Sequence, residues 1–383
     1  MTHPRDVEPA TFTETENSMA DTPPTTPPDT RPLRTAILGY GVSGRYFHGA
    51  FLRVDPHYDV TVIATANPER AEQARTDHPR ATVIDDPRTV VQHATELDLV
   101  VVCTPPKTHV ELARLALRAG LDVVVDKPVA PSSAEGAELI AEARSLGRRL
   151  TVFQNRRYDA DFLALQELLC DGALGSVHTF ESRFEWWKPC GERSWKATTT
   201  VADGGGILFD LGPHLIDQAM QLFGPVTALA ASLRSVRTGE VPQEAVTEPP
   251  ENVAHLRLTH ADGVESQLTM SSLAAIEGPR FHVSGTAGAW RTYGKDPQEA
   301  ALRAGALPDT PGFGRESDEQ AGELSTGAGT SRTTPRTGDY GRFYRELATA
   351  LHSDGPLPVD PQDSVDVLRL IETAHNLSPD HDH

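Results

Sequence analysis

Short apolar runs and helical patterns take turns along the first half of the chain. The runs cover residues 35–38, 58–65, 81–84, 97–104, 121–126 and 149–153. They lack strict apolar–polar alternation, which predicts strands buried on both faces. Helical patterns at 108–119 and 132–146 lie between them, the second ended by Gly147. Asn67-Pro68-Glu69-Arg70 opens another helix, with Asn67 as N-cap and Pro68 in the first position. Strands spaced by helices of this length predict βαβ units and a parallel sheet.

The pattern changes after residue 154. Strand-like stretches at 181–187, 226–237, 252–259, 263–272, 280–285 and 289–293 follow closely, with a hairpin signal at His260-Ala261-Asp262-Gly263. A large, mainly antiparallel open sheet with helices bunched on one face is expected, an α+β arrangement. Residues 238–251 and 310–338 read as loops, and 339–353 and 362–377 as closing helices. The expected organisation is a tail over 1–32, an α/β domain over 33–154, an α+β substrate-binding domain over 155–377 whose last helices pack back, and a frayed end over 378–383. The tail is crowded with Thr, Pro, Asp and Glu and buries too little apolar surface to fold.

The first apolar run enters Gly39-Tyr40-Gly41-Val42-Ser43-Gly44, a Gly-x-Gly-x-x-Gly turn, and a helix-compatible stretch follows. Strand, glycine turn and helix in that order point to a Rossmann dinucleotide site. Gly39 permits the tight turn, Gly41 lets backbone approach a pyrophosphate, and Gly44 allows close packing of the helix. Helix N–H groups then face the phosphates. Ligands of such sheets lie at the carboxyl ends of the strands. After the second strand comes Thr65-Ala66-Asn67, with no acid for a ribose 2′-hydroxyl, and Arg70 follows. This favours NADP, with NAD the alternative. Thr104-Pro105-Pro106 and His109 follow the fourth strand beside the expected nicotinamide ribose. Asp126 and Lys127 end the fifth, where Lys127 precedes proline and is extended.

A formal charge of −19 argues against nucleic-acid or anionic-membrane partners. No apolar run reaches the ~20 residues of a membrane helix. Three separated cysteines (Cys103, Cys170, Cys190) suit a reducing, cytoplasmic setting. No metal site is expected, and the terminal His381 and His383 receive no role.

Asp210 and His214 stand four apart, one helical turn from each other. An Asp beside a His can fix its tautomer for acid–base work. Pro213 between them suggests a meeting across a helix start, since proline suits a first turn. Trp186-Trp187 reads as core or dimer interface, because neighbours on a strand face opposite ways.

Together the glycine turn, Thr104-Pro105-Pro106, Asp126-Lys127-Pro128 and Asp210-x-Gly-x-His214 resemble the Gfo/Idh/MocA family over residues 34–375. Gly39-Tyr40-Gly41 with Phe47-His48, Asn155-Arg156-Arg157-Tyr158-Asp159 with Asp161-Phe162, and residues 293–299 are similar to its NADP-dependent scyllo-inositol dehydrogenase-like subgroup. The family often has Glu where Asp126 stands. The resemblance implies an NAD(P)-dependent enzyme moving a hydride between nicotinamide and a polyol, inositol or sugar-like hydroxyl. Lys127, Asp210 and His214 form the implied catalytic group, with Asp210 orienting His214. Gly39 to Gly44, Ala66, Asn67, Arg70, Thr104, Pro105, Pro106, His109, Asp126 and Lys127 are the implied cofactor contacts. Asn155, Arg156, Tyr158 and Trp195 are candidates for gripping substrate hydroxyls. A homodimer or higher homo-oligomer is implied through the open sheet. The competing readings are a non-catalytic nucleotide sensor of the same fold, and glycoside chemistry with transient use of NAD.

Overall fold

The computed structural model describes residues 31–189, 199–201, 204–236 and 250–378. Six strands form the first sheet: β1 (Leu33–Leu38), β2 (Tyr58–Ala64), β3 (Thr82–Ile84), β4 (Leu99–Val102), β5 (Asp122–Asp126) and β6 (Leu150–Phe153). All pair in parallel, in the order β3-β2-β1-β4-β5-β6. The chain reverses direction of winding between β1 and β4, which opens a crevice at the carboxyl edge there. Residues 39, 66, 104, 127 and 155 all follow strand ends on that edge.

Helices α1 (Ala50–Val54), α2 (Pro68–Asp77), α3 (His109–Arg118) and α4 (Ser133–Ser145) accompany this sheet, with a 3-10 stretch at Pro87–Glu96. Asn67 caps α2 as expected, its side chain accepting the Arg70 N–H at 2.9 Å. The stretch after the glycine turn departs from a plain α-helix. Ser43–Gly49 winds as a π-helix before α1 begins.

The second sheet has β7 (Val177–Glu185), β8 (Val226–Arg234), β9 (Val253–His260), β10 (Glu265–Ser271), β11 (Phe281–Gly285), β12 (Gly288–Thr292), β13 (Glu323–Thr326) and β14 (Gly329–Arg332). Their order is β14-β13-β12-β11-β7-β10-β9-β8, antiparallel except for β7 beside β10. Phe180, Ser182 and Phe184 point from β7 into the core. On the other face a charged row runs through Arg257, Glu181, Arg291 and Glu323.

Strands β13 and β14 correct the loop expected over 310–338. The segment is polar and carries no strand periodicity. Pairing with β12 decides its state, because an open sheet edge offers unpaired backbone groups to any adjacent chain. The 238–251 loop lies mostly outside the described residues. Trp186 packs against the core, whereas Trp187 is 55% exposed.

Helices α5 (Ala160–Cys170), α6 (Ile207–Phe223), α7 (Pro297–Arg303), α8 (Gly341–Ser353) and α9 (Pro361–Leu377) complete the described elements. Helix α6 packs beneath β9 and β10, and α9 lies against α4, α6 and β8. Helix α8 returns to the first sheet: Tyr340, Phe343, Tyr344 and Leu347 share a core with Ile37, Phe51, Tyr58, Val101 and Phe153. Pro213 stands inside α6 rather than at its start. Nearly all of this helix is buried, so packing sustains a residue that forfeits one backbone bond.

Candidate active site

The glycine turn is built from steric demands that can be measured. Gly39 has φ +99°, and a Cβ there would lie 2.9 Å from the Cys103 carbonyl oxygen. A Cβ on Gly44 would fall 1.9 Å from the Gly39 carbonyl oxygen, so only glycine lets the chain close on itself. Gly41 differs. The nearest atoms to a Cβ placed there belong to the Arg70 guanidinium, 3.6 Å away. Backbone is bare above Gly41, with a cation at its rim. That is a cradle suited to a pyrophosphate, with Arg70 placed for a further phosphate.

Other residues of the turn have different tasks. Tyr40 is 2% exposed and turns inward to donate its hydroxyl to Asp77 at 3.1 Å. Val42 is exposed. The Ser43 hydroxyl donates to the Asp126 carboxylate. Ala66 and Asn67 are exposed beyond β2, with Asn67 engaged as the α2 cap.

Thr104 exchanges a hydroxyl hydrogen bond with Thr108 at 2.7 Å, and Pro105 leads into a 3-10 turn starting at Pro106. His109 is buried rather than lining the crevice. Its ring nitrogens lie 2.8 Å from the Pro128 carbonyl and 2.7 Å from that of Thr104. It braces the ends of β4 and β5 together. Burial pushes its imidazole below the usual range, against the opposing pull of Asp126 and the two carbonyls.

Asp126 likewise faces inward. One carboxylate oxygen accepts the Lys127 backbone N–H at 2.9 Å. The other accepts from Ser43 and lies 3.7 Å from His48 Nε2. Burial alone would raise this carboxyl; His48 and Ser43 outweigh it and bring it down to about 2.

Lys127, from the end of β5, crosses to α6. Its Nζ lies 2.6 Å from the Asp210 carbonyl oxygen and 3.3 Å from Asp210 Oδ1. His214, 6% exposed, follows one turn along the same helix. An ammonium and a carboxylate therefore meet, with an imidazole one helical turn further along α6.

Gln218 continues that helical stripe by another turn, a spacing visible in the sequence but not singled out there. Its amide donates to the Arg156 carbonyl at 2.8 Å and accepts from Arg280 at 2.8 Å. Arg280 is buried, also donates to Ser182 at 2.6 Å, and stacks on Phe184 and Phe281. Asn155 is buried in the 3-10 turn after β6. The Arg156 guanidinium sits over Phe184 and pairs with Asp159 at 3.4 Å and Glu299 at 3.6 Å. Tyr158 donates its hydroxyl to Glu346 of α8 at 3.0 Å, and its ring belongs to the core shared by α8 and the first sheet. Trp195 lies outside the described residues.

Among the described residues no group of three His, Cys, Asp or Glu side chains could hold a metal, and no helix is long and apolar enough to cross a membrane.

Residues 33–154 match the model of an oxidoreductase family with an NAD-binding Rossmann fold, and residues 162–291 match the GFO/IDH/MocA C-terminal domain. Scyllo-inositol 2-dehydrogenase (NADP(+)) IolW of Bacillus subtilis is 33% identical, over 89% of this chain and 92% of its own. The uncharacterized oxidoreductase YdgJ of Escherichia coli is 35% identical, over 89% and 94%. The solved structure of yvaA from Bacillus subtilis superposes with a TM-score of 0.83 at 30% identity, over 92% of this chain and 97% of that one. The glycine turn, the two-sheet architecture and these matches over nearly the whole length agree: the chain belongs to the Gfo/Idh/MocA family of NAD(P)-dependent oxidoreductases.

Proposed function

We propose that this protein is an NADP-dependent dehydrogenase or reductase acting on a CH–OH group of a polyol, inositol or sugar-like substrate. The meeting of Lys127 with Asp210, one turn from His214, carries the reading. When bound, the nicotinamide accepts or supplies the hydride. The protein's task is to position the carbon and move the hydroxyl proton. Lys127 presents an ammonium that stabilises negative charge on the substrate oxygen as the proton leaves. In this reading His214 exchanges that proton, and Asp210, one turn earlier on α6, orients it. Asn155, on the loop that Gln218 clamps to α6, is the candidate for gripping a further hydroxyl, with the Arg156 guanidinium beside it held by Asp159 and Glu299. The Arg70 guanidinium over Gly41, with no acid at Ala66 or Asn67, supports NADP over NAD. The NADP specificity printed for IolW points the same way.

The test compares NADPH and NADH binding, then turnover of an inositol, polyol and sugar panel followed at the nicotinamide absorbance. Lys127→Ala and His214→Ala should each lower turnover by about 100-fold or more while leaving NADPH affinity within a few-fold. Unchanged turnover in both would remove this mechanism. Tight NADPH binding without turnover of any substrate would favour a nucleotide sensor.

A further inference from the structure

His48 touches neither Lys127 nor the Asp210–His214 pair directly; it lies beside Asp126. It is fully buried in the π-helical stretch Ser43–Gly49. A π-helical stretch inside a helical segment is rare and often marks a functional position. The ring rests against Phe153, centroids 4.4 Å apart, and Nδ1 is in hydrogen-bond contact with the Tyr344 hydroxyl on α8. Nε2 forms no hydrogen bond, and Asp126 Oδ2 is 3.7 Å away. Leaving a buried imidazole nitrogen unsatisfied is destabilising. A polar histidine wedged among aromatic rings therefore calls for a reason beyond packing.

The reason lies in what Asp126 touches. Its carboxylate holds the hydroxyl of Ser43, in the nucleotide turn, and the backbone N–H of Lys127. It is the one described side chain bonded to both. We infer that His48 is a positioning residue: backed by Tyr344, it directs the Asp126 carboxylate so that the glycine turn and Lys127 keep a common register. Helix α8, from the far end of the chain, thereby sets the placement of Lys127. The inference rests on the proposed role of Lys127, and its test is chosen to separate the two.

The chain has five lysines, at 107, 127, 188, 196 and 295. Reductive methylation with 13C-formaldehyde keeps their charge and yields few enough dimethyl-lysine NMR signals to resolve. Loss of one signal in Lys127→Arg assigns Lys127. In His48→Leu the Lys127 signal should move while the other four stay in place. His48→Gln, whose amide nitrogen stands near the position of Nε2, should restore it. Asp126→Asn should move the signal too, and the double variant His48→Leu/Asp126→Asn should move it no further. Turnover in His48→Leu should fall about tenfold or more, with recovery in His48→Gln. If His48→Leu does not fold, Tyr344→Phe carries the test by removing one hydroxyl from the same chain of contacts. An unmoved Lys127 signal in a folded variant overturns the inference, as does additivity in the double variant. Full turnover in Lys127→Ala would instead overturn the catalytic reading while leaving the NMR result to judge His48.

Discussion

Arg70 shows how a single side chain takes its meaning from its neighbours. On a helix exterior an arginine is ordinarily a solvated charge. Here the N-cap of α2 and the bare backbone of Gly41 leave its guanidinium at the rim of the glycine turn, the cradle proposed for the nucleotide. A charge-assisted contact of this kind is worth about 1.5–3 kcal/mol. Arg70→Ala should therefore weaken NADPH binding about tenfold or more and leave NADH binding nearly unchanged. Ala66→Asp should disfavour NADPH through repulsion with the 2′-phosphate. Fluorescence titration of both nucleotides checks each variant; a preference that does not move in either would place that phosphate elsewhere. Histidines show the opposite lesson. His109 offers the same chemistry as a crevice ligand would, but its nitrogens meet two main-chain carbonyls. Residue type alone could not distinguish a cofactor contact from a brace.

At the scale of elements, α6, which carries Asp210 and His214, depends on a residue outside it. The amino terminus of α6 leaves N–H groups without intrahelical acceptors. Glu251, buried just before β9, accepts the Leu208 N–H with its carboxylate at 3.0 Å and the Ile207 N–H with its carbonyl at 3.0 Å. Gly206, at φ +102°, makes room: a Cβ there would lie 2.3 Å from a Glu251 carboxylate oxygen. A negative charge at this end also complements the helix dipole. Glu251→Ala should cost about 1–3 kcal/mol and lower the melting temperature by several degrees. Turnover should fall with it, because Asp210 lies in the following turn, and Glu251→Gln should recover part of both. Thermal melts with parallel kinetics check this; a melting temperature equal to wild type in Glu251→Ala would show that the cap is dispensable. No local pattern announces this cap, since its acid stands 43 residues downstream of the N–H it serves. The β13–β14 hairpin was equally silent, for its polar strands exist by pairing with β12.

For the whole molecule, buried neutral histidines make stability depend on pH. Burial lowers His78 from the usual 6.5 to about 4, and it lowers His109 as well. As pH falls below 6.5 the unfolded chain takes up these protons, while folded His78 does so only near 4. At these two sites the unfolded state thus binds more protons across that window, and their contribution to stability declines as pH drops through it. For His78 alone the loss amounts to about 3 kcal/mol. The buried Asp161, which burial raises to about 7, contributes with the opposite sign over the same range, so the His78 share is read by comparing the melting-temperature profile of wild type with that of His78→Gln between pH 6.5 and 4.5. Relative to wild type the variant should gain stability toward pH 4.5, and an unaltered slope would assign the effect to other groups.

How much was legible in the sequence follows from the range over which each requirement acts. The parallel sheet, the glycine turn and the helix-borne Asp210–His214 pair rest on local rules: side-chain periodicity, the φ that Gly39 must adopt, and four-residue spacing on a helix. Those rules read the same in one dimension as in three. The tertiary structure alone decided the inward turn of Asp126, the brace at His109, the remote cap by Glu251 and the return of α8 to the first sheet. Ser43 and Asp126 are 83 residues apart, and His48 and Tyr344 are 296 apart. Buried polar groups must find partners wherever packing brings them, and no local spacing encodes where that will be.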